Sequence, residues 1–167
     1  MKVRFDVNDP AGRNAFIRAG LPEALKSLTP GTRPRWGALT AAHMVEHLLW
    51  GFELSTGRLV LEPATSEEWQ RKARAFLHDH RETPHGFENP YLRDGLPPLR
   101  FGALALAIDA LTSEGQRFVE LAAADTEARR AHPVFGWCSM EEWSRIHFKH
   151  GVHHLLQFGL IEVEPAD

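Results

Sequence analysis

The sequence predicts an all-α fold, a bundle of helices, and three observations carry that prediction. Apolar residues recur at helical spacing on segments opened by good caps. Histidines stand three and four residues apart on two of those segments. No stretch alternates apolar and polar residues with comparable strength. At 167 residues and 43% hydrophobic content, the chain has the size of one domain that buries a core unaided.

Asn8 or Asp9 before Pro10 opens the first helix, because proline in the first turn gives up an N–H that has no intrahelical partner. That helix is expected to reach about Leu28, with Gly20 and Pro22 kinking or breaking it, before the turn Thr29-Pro30-Gly31. Thr40 caps the second helix, in which Leu39, His43, His47 and Trp50 share a face until Gly57 stops it. Thr65 or Ser66 caps a third, more polar helix through Trp69, Lys72, Phe76 and Leu77 that ends before Pro84. The stretch 81–98, rich in proline and glycine, reads as a loop long enough to suggest a covering role. A fourth helix is expected from Thr112 or Ser113 to Arg129, with Phe118, Leu121 and Ala122 facing inward; residues 101–111 before it read as helix or as extended chain. Ser139-Met-Glu-Glu142 is a capping box and opens a fifth helix, whose stripe of Trp143, His147, His150, His154 and Gln157 runs to Gly159.

Composition excludes several classes of partner. The net charge is −3, from 19 basic and 22 acidic residues, and Arg33, Arg35, Arg71, Lys72 and Arg74 are scattered. No stripe of the kind that neutralises phosphates results, so no nucleic-acid partner is expected. The longest apolar run, Phe101 to Ile108, falls far short of the roughly 20 residues that span a bilayer, so no membrane partner is expected. Cys138 is the single cysteine, which excludes an intrachain disulfide framework, and the charged start Met1-Lys-Val-Arg-Phe-Asp6 lacks the apolar core of a secretory signal. A cytoplasmic location is the expectation.

The histidines are the compositional outlier, at ten. Several, notably His78, His80 and His85, read as surface residues. His150 and His154 lie four apart and so supply two imidazoles from one turn, and His47 on another helix is the natural third. Three histidines leave coordination positions free for water or substrate, the arrangement of a catalytic rather than a structural site. Such a site lowers the pKa of bound water or thiol enough to make a nucleophile near neutral pH. One divalent ion, zinc, nickel or similar, is the expected cofactor. His43 shares its face one turn earlier and reads as a surface histidine, with ligation or substrate contact as the alternative. His147 is a candidate neighbour of the site or fourth ligand, and His153, about 100° around the helix from His154, is expected outside it. Trp36, Trp50 and Trp143, with His43, are expected to line part of a pocket.

Rival plans fail on the text. A zincin needs His-Glu-x-x-His, which is absent, and the one Glu-x-x-His string, Glu82-Thr-Pro-His85, contains a helix-breaking proline. No Gly-x-Ser-x-Gly elbow exists, and nothing marks Cys138 as a nucleophile.

The segment from His132-Pro-Val-Phe-Gly136 through Glu142-Trp143 to Lys149-His150-Gly-Val-His153-His154-Leu-Leu-Gln157-Phe158 resembles the DinB-like superfamily, in a branch whose function is not defined. Arg35-Trp36-Gly37-Ala-Leu-Thr-Ala-Ala-His43-Met-Val-Glu-His47-Leu48 is similar to the same branch's second helix. The resemblance implies an up-down-down-up four-helix bundle, here with additional short helices and loops, commonly dimeric, with His47, His150 and His154 holding a divalent metal. His153 and Gln157 occupy motif positions without being ligands. Where the branch often has an acidic residue before the paired histidines and an arginine before the glutamine, this chain has Val152 and Leu156. Characterised members include transferases and isomerases that use bacillithiol or mycothiol, and others are described as metal-dependent hydrolases. The resemblance therefore implies transfer of a low-molecular-weight thiol to a small electrophile, then hydrolysis, then a non-catalytic dimeric stress-response protein with a structural or vestigial metal.

Overall fold

Two small sheets set the observed fold apart from the expected one. The computed structural model describes residues 1–86 and 95–165. Along the chain run β1 (Lys2–Phe5), α1 (Pro10–Ala15), a π-helical turn (Phe16–Gly20), α2 (Leu21–Leu25), α3 (Ala41–Ser55) and α4 (Glu67–Ala75). A 3-10 turn (Phe76–His78), α5 (Leu104–Ala124), β2 (Arg129–His132), β3 (Gly136–Ser139), α6 (Met140–Gln157) and β4 (Glu162–Pro165) complete it. β1 and β4 pair in parallel, Lys2 opposite Glu162, while β2 and β3 form an antiparallel hairpin with His132 opposite Gly136.

The fold is therefore mixed α/β, which corrects the expectation of an all-α, up-down-down-up four-helix bundle. The reason is length and composition. Each strand has four residues, too few for a period of two to stand out. β1 does bury Val3 and Phe5 and expose Lys2 and Arg4, but its partner lies at the other end of the sequence. β2 is mostly polar, Arg129-Arg130-Ala131-His132, and begins at the residue where the expected fourth helix was to end.

The helix starts obey their caps. Thr40 accepts from the backbone N–H of His43, Ser66 from that of Trp69, and Ser139 exchanges both bonds of its capping box with Glu142. Gly20 and Pro22 do not break the first helix. The backbone N–H of Leu21 reaches the Phe16 carbonyl, so a π turn absorbs the change of register and helical chain continues to Leu25. α5 begins eight residues before Thr112, at Leu104, and ends at Ala124, where the chain turns toward β2. Of the expected loop 81–98, residues 87–94 lie outside the described ones; Arg100 N–H and Phe101 N–H, just past it, donate to Glu46.

α6 is the axis of the core, with Trp143, Phe148, Val152 and Leu155 all buried. Phe148 stacks on Phe5 and meets the edge of Phe16, while Phe52 of α3 meets Phe118 of α5. Each such side chain contributes about 1.5–3 kcal/mol through burial. Buried Arg13 ties α1 to α6 through Ser144 and Glu141. Among the described residues no helix is long and apolar enough to cross a membrane.

Candidate metal centre

α3 and α6 bring together imidazoles that are far apart in sequence. His150 Nε2 lies 2.9 Å from His47 Nε2 and 3.0 Å from His154 Nε2. One nitrogen from each of the three histidines falls within 4.8 Å of the others, close enough for one ion to be held. The four-residue spacing on α6 puts His150 and His154 on one face, and α3 presents His47 toward it.

Hydrogen bonding fixes the tautomer of His154. The Gln157 side-chain amide donates to the Trp36 carbonyl at 2.8 Å, which turns its Oε1 toward His154 Nδ1, also at 2.8 Å. Nδ1 must then carry the proton, leaving a lone pair on Nε2 that points at His150. Gly37 makes this tie possible: its φ is 79°, and a Cβ there would stand 2.8 Å from the Gln157 amide nitrogen.

Burial holds the cluster neutral. It pushes His47 down to about 4 and His150 and His154 well below 6.5, with neighbouring imidazoles adding to the effect. Neutral nitrogens this close cannot all be satisfied by one another, because a proton on His150 Nε2 can point at only one neighbour. A cation satisfies all three lone pairs together. Around a tetrahedral ion with bonds of about 2.0–2.1 Å, ligand nitrogens stand about 3.3 Å apart, so a small spreading converts the cluster into a coordination site. The donor set fits a divalent ion of the zinc or nickel type.

The three histidines line a cleft of about 930 Å³. Trp36, Trp50, Trp143 and His147, all expected near the pocket, line it as well. Trp50 lies nearly parallel to the His47 ring at 6.3 Å. Trp143 is fully buried and donates its indole N–H to the Arg130 carbonyl, so it belongs mainly to the core. His147 belongs there too. Its Nε2 meets Ser55 Oγ at 2.8 Å, its face lies on Phe52 at 3.7 Å, and burial holds it well below 6.5. Ser55 donates its own proton to the Phe52 carbonyl, so His147 Nε2 is the donor and has no lone pair to offer an ion.

His43 is not brought to the cleft. Its Nδ1 meets Thr40 Oγ1 at 2.7 Å and its Nε2 donates to the Pro97 carbonyl at 3.1 Å. His153 stands outside the ligand cluster yet lines the cleft, edge-on to Trp36 at 5.8 Å and to His154 at 4.9 Å. The Trp36 ring in turn stacks on His85 at 3.8 Å, and His85 is exposed, as expected of a surface histidine.

His132 escaped the sequence reading because it lies in a hairpin rather than on a helical stripe. Its Nδ1 accepts the backbone N–H groups of Val134 and Phe135 at 3.0 and 3.2 Å, and its ring lines the cleft. Lys72, Arg81 and Lys149 also line it, whereas among the described residues no carboxylate does. Lys149 donates to the Phe76 and Asp79 carbonyls at 2.8 and 2.9 Å, and burial lowers it to about 8.

In comparisons with known proteins, no protein-family model and no curated protein matches the chain.

Proposed function

We propose that this is a metal-dependent enzyme of DinB-like type that transfers a low-molecular-weight thiol to a small electrophile. The observation that carries the reading is the convergence of His47, His150 and His154 on the wall of a large cleft that, among the described residues, holds no carboxylate. His47, His150 and His154 would hold one divalent ion, zinc, nickel or similar, through Nε2. The ion supplies acidity, lowering the pKa of a bound thiol or water toward neutrality. Gln157 orients His154 and raises its basicity by accepting the Nδ1 proton. Three ligands leave positions open for the reactant, and about 930 Å³ accommodates both a thiol and an electrophile.

Thiol transfer is preferred to hydrolysis because of what lines the cleft. A hydrolase that activates water commonly adds a carboxylate as general base, and among the described residues none lines the cleft. Transfer needs no such base: the sulfur forms a bond to carbon, the leaving group departs with its electron pair, and the thiol proton goes to solvent. Cys138 is no rival nucleophile, since burial pushes its thiol up to about 12 and it stays protonated.

The test starts with elemental mass spectrometry on untagged protein. Stoichiometric zinc, nickel or a similar ion is expected, and loaded protein should accelerate attack of bacillithiol or mycothiol on 1-chloro-2,4-dinitrobenzene, releasing chloride. Ester hydrolysis without thiol would move the assignment to the hydrolase. Protein that folds but takes up no divalent ion would end the enzyme reading.

A further inference from the structure

We propose that the cleft takes a small aromatic anion, a carboxylate on a flat apolar body, and that the Nε2–H of His132 donates to its oxygen. The proposal rests on the metal-site reading above for where the reactive end of the molecule lies, and on its own observations for how the molecule is held.

The first observation is a locked donor. Because two backbone N–H groups point at His132 Nδ1, that nitrogen must be the lone pair and Nε2 must carry the proton. Burial keeps the ring neutral down to about pH 3, so the tautomer persists across the working range. The ring lines the cleft, and among the described residues no protein acceptor is assigned to its Nε2. The indole N–H of Trp36, on the same cleft, is buried with no hydrogen-bond partner among the described residues. Donors left open in this way favour a ligand that brings acceptors.

The second observation is the sign of the wall. Lys72, Arg81 and Lys149 line the cleft, while none of its described lining residues is acidic. Each cation also has a protein partner: Glu68 for Lys72, Asp79 for Arg81 and Lys149. An anion nonetheless meets no lining carboxylate among the described residues, whereas an organic cation lying away from the three histidines would meet donors and like charge. The third observation is flatness. Trp36, Trp50, Trp69, Phe76 and Phe135 supply aromatic surface to the same space, which suits a planar body.

The competing account is that His132 only caps the turn between β2 and β3, and two substitutions separate the accounts. In His132→Asn the amide oxygen can take the place of Nδ1 and keep the cap, while nothing reaches the position of Nε2. In His132→Gln the side-chain amide nitrogen can reach that position, while the cap is lost.

Benzoate is titrated calorimetrically into wild type and both variants, with metal content and thermal midpoint measured on the same samples. We expect wild type to bind benzoate and His132→Asn to bind it at least about tenfold more weakly with metal content unchanged, the size of one lost charge-assisted hydrogen bond. His132→Gln should recover most of the affinity even if it melts earlier. Equal affinity in wild type and His132→Asn would overturn the proposal, as would His132→Gln binding no better than His132→Asn. Metal-loaded wild type that ignores benzoate would overturn it while leaving the metal site standing. Metal-free wild type that binds benzoate, and loses it in His132→Asn, would support it while ending the metal-site reading.

Discussion

His147 and His150 stand one turn apart on α6 and meet opposite fates. Burial lowers the pKa of both, so burial does not distinguish them. Partners do. His147 finds a hydroxyl, Ser55, that accepts its proton, and its faces are taken up by Phe52 and Phe118. His150 finds two more imidazole nitrogens at 2.9 and 3.0 Å, of which a proton on its Nε2 can serve only one, with Gly51 near its Nδ1. The first environment closes a core; the second groups three nitrogens that could hold a cation. A histidine on an inner helical stripe thus declares itself by what faces it, not by its spacing.

The sharpest way to break this comparison is to remove a ligand. His154→Ala should drop metal content from stoichiometric to near zero by elemental mass spectrometry, with the fold kept by far-UV circular dichroism. Retained metal would mean that the ion sits elsewhere. His147→Ala should do the reverse. It leaves the Ser55 hydroxyl without its donor and a void beside Phe52, so urea unfolding should show a loss of about 2–4 kcal/mol while metal content stays at the wild-type level.

Gln157→Leu is expected to fall between these two. Without the Gln157 acceptor, the His154 tautomer is no longer fixed, and metal affinity should fall about 10–100-fold in competition with a chromophoric chelator. An unchanged affinity would make Gln157 a tie to the Trp36 loop alone.

A pH series on metal-free protein tests the buried imidazoles together. His132 is held at about 3 and His147 well below 6.5, so between those limits the unfolded chain binds protons that the native one refuses. Their contribution is complete above about pH 6.5, the unperturbed histidine value, and declines as pH falls toward 3. Urea midpoints should therefore drop steadily below pH 6.5; a flat profile would place these rings in water. The smallest effect is expected from His153→Ala, which should leave metal content unchanged because its ring lines the cleft outside the ligand cluster.

Much of the candidate site was legible because helices write their faces into local spacing. His47, His150 and His154 could be paired from the intervals on α3 and α6, and Thr40 and Ser139 announced where those helices start. What depended on distant partners was not legible. β1 needs β4 from the far end of the chain, and four residues carry too little pattern to reveal it. His43 looks identical to His47 by spacing, yet the Pro97 carbonyl claims it. His132 belongs to the cleft only because the hairpin folds back over α6, where Trp143 donates to the Arg130 carbonyl. The π turn at Phe16–Gly20 shows the same limit, since glycine and proline mark a disturbance without saying whether the helix ends or changes register.

Gln157 joins three things that are usually independent. Its carbonyl accepts the Arg35 N–H at 2.7 Å, its amide donates to Trp36, and its Oε1 holds His154. Whatever steadies His154 also steadies residues 35–37, and by thermodynamic reciprocity whatever steadies that loop tightens the centre. Occupancy of the histidines should therefore be audible at the loop, as slower amide hydrogen exchange at Arg35, making the segment a reporter of the ion as well as part of the wall around it.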